Sequence, residues 1–138
     1  MDNTIKIVVA IFIVIAIGGI VVLVGNSKAP AGSPEIAGIP GNGSLTVYYF
    51  YGAECPHCAA VKPVITSLTE KYPQVTFEEL EVWHNQTNQA MMDKVNTQLG
   101  ITDAGVPEVV VDTTVLIGDR DIPAKLEGVI QAALKKNQ

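Results

Sequence analysis

Cysteine is scarce in this chain, with two among 138 residues, too few for the disulfide framework that small secreted domains use in place of a large core. Basic charge is also short, nine Lys and Arg against fourteen Asp and Glu for a net charge of −5. No Lys/Arg cluster stands out, which argues against nucleic acid as a partner. There are two histidines and one tryptophan. Cys55, Cys58, His57 and His84 could offer soft and imidazole ligands, but they do not form the two close-spaced couples of a structural zinc site, so no metal is expected. No other cofactor is indicated. Internal repeats are lacking, and Met91 and Met92 read as core and rim of a helix rather than a metal box.

Charge is missing altogether from residues 7–25, an apolar run long enough as a helix to cross a hydrocarbon core of about 30 Å. A cleavable signal peptide is the rival reading, with the small residues Ala29 and Ala31 near the cut. The run exceeds the roughly 7–15 residues of such a peptide's apolar region, and its basic flank is only Lys6 and the amino terminus. We therefore expect residues 1–25 to be a single transmembrane anchor. Lys6 and Lys28 nearly balance across it, so the charge rule does not orient it. A short amino terminus before a long apolar run resembles a signal anchor, which leaves the following domain outside the cytoplasm. Residues 26–44, rich in Pro, Gly, Ser and Ala, read as a flexible tether. Residues 45–138 make one small domain with enough chain for a core of its own.

Within that domain the patterns alternate. An apolar strand over 45–51 precedes a helix over 56–72, where Ala59, Ala60, Val61, Val64, Ile65 and Leu68 give an apolar face and Pro73 a stop. A strand over 75–82 follows, only loosely alternating, and then a helix over 86–99 that ends at Gly100. Val109 to Val111 and Thr114 to Ile117 flank Asp112 and Thr113 as a hairpin. A helix over 122–136, with Pro123 in its first turn and Lys135 and Lys136 in its last, closes the chain. The order is β-α-β-α-β-β-α.

Both cysteines fall at the junction of the first strand and first helix, in the run Cys55, Pro56, His57, Cys58. Two thiols at that spacing form a redox dithiol: an attacking sulfur needs a second one nearby to resolve the mixed disulfide it makes with a partner. At a helix amino terminus, unpaired N–H groups and the positive end of the dipole stabilise a thiolate at Cys55. Pro56 presets the first helical turn, and His57 can place a donor or positive charge beside the sulfur. A stabilised thiolate favours the reduced form and makes the disulfide the better oxidant. Glu54 reads as a surface charge and Trp83 as a partly buried aromatic.

The element order and the dithiol's place in it resemble the thioredoxin fold in a minimal form, an α/β arrangement with a four-stranded mixed sheet flanked by helices. Three further matches carry the resemblance. Pro63 lies five residues after Cys58, where such proteins have a helix proline; Gly105, Val106 and Pro107 stand where the family has its cis-proline loop; and Leu116 to Asp119 look like the turn after the final hairpin. The Cys-Pro-His-Cys motif is also that of the DsbA-type disulfide oxidases, which carry a valine at the place of Val106. The resemblance implies that Val106 and Pro107 present backbone to a partner chain. Two departures stand beside it. Between Val82 and Val106 there is room for one helix and not for the helical insertion of the DsbA family, and Tyr49 occupies a place where thioredoxins often keep a buried acid, so proton transfer from Cys58 needs another group or water.

These readings lead to a membrane-anchored thiol-disulfide oxidoreductase, tethered through residues 7–25, acting on cysteine-bearing protein substrates outside the cytoplasm and reset by a redox recycling partner. The alternatives are a glutaredoxin-like or thioredoxin-like reductant and a non-enzymatic module whose thiols hold a metal or a client.

Overall fold

A computed structural model describes residues 45–137 of the chain. The expected membrane anchor over 7–25 and the tether over 26–44 lie outside the described residues. Among the described residues no helix is long and apolar enough to cross a membrane.

Strand β1, Thr46–Tyr51, explains the rest of the architecture, because its four interior residues Val47, Tyr48, Tyr49 and Phe50 are all buried. A strand apolar on both faces must be covered on both. It runs parallel to β2 (Thr76–Glu81) on one side and antiparallel to β3 (Glu108–Val111) on the other, and β4 (Thr114–Ile117) pairs antiparallel with β3. The mixed sheet thus has the order β2-β1-β3-β4. β2 is an edge strand with no fully buried residue, which accounts for its weak alternation in the sequence and for its being a residue shorter at each end than expected.

Helix α1, Pro56–Lys71, follows β1 and buries Cys58, Val61, Ile65 and Leu68, one side chain every three or four residues. It continues through Pro63 without a break. Helix α2, Gln86–Leu99, is closed at its start by Asn85, whose side-chain oxygen accepts the Thr87 and Asn88 N–H groups at 3.1 Å each. Gly100 ends it in a left-handed conformation, φ 68°, that costs glycine little.

Helix α3, Gly118–Lys136, corrects one expectation by starting a full turn before residue 122. Pro123 therefore lies inside the helix and not in its first turn. Proline usually marks the first helical position, and that signal outweighed a subtler one: Gly118 takes φ 92°, and Asp119 and Asp121 supply negative charge to the first turn, where the dipole favours it.

The helices divide between the faces of the sheet. Val47, Tyr49, Val109 and Val111 pack with Val61, Ile65 and Leu68 of α1 and Ile122, Leu126 and Ile130 of α3. On the opposite face Tyr48, Phe50 and Val110 meet Met92 and Val95 of α2. At about 25 cal/mol per Å² of apolar surface, each fully buried Val, Leu or Ile contributes roughly 1.5–3 kcal/mol, so the layer holding both α1 and α3 carries the larger share of the driving force. Trp83 is half-buried, in keeping with its reading as a partly buried aromatic, and at 50% it is still the exposed large hydrophobic residue among those described.

Candidate active site

Cys55 is the N-cap of α1, with extended backbone at φ −77° and ψ 115°. Its sulfur fills the place usually taken by a Ser or Asp oxygen and accepts the Cys58 N–H at 3.4 Å. Pro56 follows at a helix-start position, where the missing N–H costs nothing. The Cys55 N–H donates to Gly52 O at 3.1 Å, which tightens the turn between β1 and α1.

The second wall of the site comes from the loop before β3. The Val106–Pro107 peptide is cis, and the Cys55 thiol is directed at Val106 O, 3.9 Å away. Pro107 O accepts the Gly118 N–H at 2.8 Å, so the loop is held against the start of α3. The fold thus brings together Cys55, Cys58, Val106 and Pro107, four residues that the sequence singled out.

Both cysteines are free thiols and both are buried. Burial pushes the Cys58 thiol up to about 11, helped by its hydrogen bond with Cys55. Beneath it, Tyr49 occupies the position at which the sequence showed no acid. Its hydroxyl donates to Cys58 O at 3.1 Å, and burial first, then the nearby thiols, raise it well above the ordinary phenol range. It stays a neutral donor, and it stacks on Tyr51 with ring centroids 5.4 Å apart.

His57 does something the sequence did not indicate. Its Nδ1 lies 2.7 Å from Asp119 Oδ2, so the imidazole ties the start of α1 to the start of α3. That hydrogen bond holds the Asp119 carboxyl below its usual range. Glu54 is exposed as expected, but it is engaged with His84 Nε2 at 2.9 Å, a hydrogen bond that raises the His84 imidazole. Glu81 joins the two loops by accepting the N–H groups of Trp83 (2.8 Å), His84 (2.9 Å) and Ala53 (3.4 Å). Trp83 lies so close over Gly52 that a β-carbon there would fall 2.3 Å from the indole.

Two functional candidates escaped the sequence reading. Glu108, the residue after Pro107, is fully buried, and Asn96 of α2 donates to it at 3.3 Å. An acid set between Pro107 and three valines, at the start of a buried strand, was the available signal. Asp119 was visible only as part of a turn.

No family model matches the sequence, and no curated protein does. Solved structures do match. A thioredoxin from Trypanosoma brucei brucei superposes with a TM-score of 0.51 at 16% identity, covering 67% of this chain and 76% of that one. The fold is thioredoxin-like. Thioredoxin O1 from Arabidopsis thaliana, in its oxidised state, gives a TM-score of 0.50 at 24% identity over 65% of this chain and 78% of its own. The thioredoxin-like fold carries its Cys-x-x-Cys pair, Cys55 and Cys58, at the junction of β1 and α1.

Proposed function

We propose that this chain is a membrane-anchored thiol-disulfide oxidoreductase that donates disulfides to protein substrates outside the cytoplasm. One observation carries the chemistry: the two sulfurs are inequivalent. Cys55 Sγ caps a helix, accepts an amide N–H and faces Val106 O, whereas the Cys58 thiol is pushed up to about 11. A hydrogen bond to sulfur strengthens when the sulfur is anionic, so the cap favours Cys55 as the attacking and leaving group.

In the oxidising direction a substrate thiolate attacks Cys55 Sγ of the Cys55–Cys58 disulfide. The S–S bond breaks, and Cys58 leaves as a thiolate that takes up a proton, as its high affinity for one requires. A second substrate thiolate then attacks the mixed disulfide and releases Cys55. Two electrons pass from the substrate dithiol to the Cys55–Cys58 pair. Pro56 holds the helix start, His57 with Asp119 lines its outer side, and Val106 and Pro107 offer backbone to the substrate strand. The recycling partner then removes the two electrons.

The oxidising direction rests on Pro56 and His57 between the cysteines, and the membrane tether on the uncharged run over 7–25. The reductant reading draws on the thioredoxins that share the fold. The full chain, equilibrated against glutathione, separates the two. A potential near about −120 mV marks a disulfide donor, and one near about −270 mV marks a reductant. Cys58→Ser tests the enzyme class itself: it is expected to accumulate mixed disulfides through Cys55, and a chain that traps none is a binding module instead.

A further inference from the structure

Glu108 and Asn96 form a buried polar pair on the α2 face of the sheet, opposite to the face that holds α1. Glu108 pairs with Phe50 across β1 and β3, and its side chain shares a face with Val110, within the layer of Tyr48, Phe50, Met92 and Val95. Glu108 is 0% exposed and Asn96 4%. The carboxyl accepts from Asn96 Nδ2 at 3.3 Å, and the Gly105 backbone amide beside it favours the charged form. Two oxygens of the pair, Glu108 Oε1 and Asn96 Oδ1, have no hydrogen-bond partner among the described residues. Adjacent buried acceptors without a donor are costly. A proton on the carboxyl turns one of them into a donor and gives the other its partner.

The anchor is close to the chemistry along the chain. Gly105 precedes Val106, whose carbonyl faces the Cys55 thiol, and Pro107 is gripped from the other side by the Gly118 N–H. We propose that Glu108 is a positioning residue for Cys55: its buried carboxyl, pinned by the Asn96 amide one residue past Pro107, holds the loop so that the Val106 carbonyl stays at the attacking sulfur. This deepens the redox reading of Cys55 and rests on it.

The pair also couples the loop to pH. Burial pushes the Glu108 carboxyl up to about 7, against the pull of Asn96 and Gly105. Few other titratable groups bear on it. Tyr48 of β1 shares its face and is itself raised by burial, with Glu78 of β2 beside it; Asp93 and Lys94 of α2 are exposed. On the Cys55 side stand Cys58, Tyr49, His57 and Glu54, and β4 contributes none. Once Glu108 ionises, a negative charge sits behind the loop, opposing a thiolate at Cys55 and pulling on Gly105.

The test uses Cys58→Ser, which leaves Cys55 as the only thiol, and follows its alkylation by iodoacetamide against pH. With Glu108 intact, the rise in rate should flatten around neutral pH. Glu108→Gln, which keeps the shape and hydrogen-bonding capacity of the neutral acid, should match it in mildly acid solution, lose the flattening, and react about two- to threefold faster above pH 8. A Glu108→Gln profile that superimposes on its parent over the whole range overturns the proposal. A simple packing role would not move this profile. Glu108→Ala should change the rate at every pH, because the loop loses its anchor. The two ideas fail separately: absence of trapped mixed disulfides refutes the redox reading even if the flattening is present, and a pH profile indifferent to Glu108 refutes the positioning role even if disulfides are trapped.

Discussion

Glu108 has a measurable effect on stability as well as on the loop. Its carboxyl is pushed up to about 7 in the folded chain from an ordinary 4.5, so between those pH values the folded state holds a proton that the unfolded state has released. The contribution is complete below about pH 4.5 and is lost as pH rises toward about 7, by at most on the order of 3 kcal/mol. Urea denaturation across that range should show stability falling with pH in the parent relative to Glu108→Gln. Taking the difference cancels His84, whose raised imidazole also loses stability on the alkaline side. The His57 and Asp119 pair behaves otherwise. Both side chains are substantially exposed, 65% and 37%, so Asp119→Asn should leave the urea midpoint close to that of the parent in the same assay. At this scale the sequence disclosed the thiols well, because Cys-x-x-Cys is a local pattern. It disclosed Glu108, Asn96 and Asp119 poorly, because their meaning lies in partners far away in the chain.

Among the elements, α2 is the helix held most visibly by its ends. Asn85 satisfies two amide donors at its start, and Gly100 takes the left-handed turn at its close. Asn85→Ala should cost about 1 kcal/mol in denaturant midpoint at unchanged slope. Its end was readable from residue type alone, since Gly after a helical pattern has a local mechanical reason. The start of α3 was not. Pro123 pointed to a later start and Gly118 and Asp119 read as the turn before it, whereas in the structure the helix begins at Gly118, whose N–H docks on Pro107 O. The tertiary contact overrode the local proline signal.

For the domain as a whole, α1 and α3 pack on one layer of the sheet, so loss of core there should be felt everywhere. Leu126, fully buried in that layer, is expected on substitution by alanine to lose about 2–5 kcal/mol while the transition stays single and cooperative. Coincident fluorescence and circular dichroism curves are the check. The order of elements was legible along the chain because each has its own periodicity and stops. The strand order β2-β1-β3-β4 is not a local property; the resemblance to the thioredoxin fold supplied a four-stranded mixed sheet, and the order itself comes from the structure.

Trp83 gives the molecule an optical property. It is the chain's one tryptophan, it rests on the Gly52 backbone, and Gly52 O receives the N–H of Cys55. Its emission therefore originates beside the dithiol loop and nowhere else. Disulfide formation, or a substrate strand settling against Val106, should change that light without any attached dye. The chain is its own gauge of its redox state.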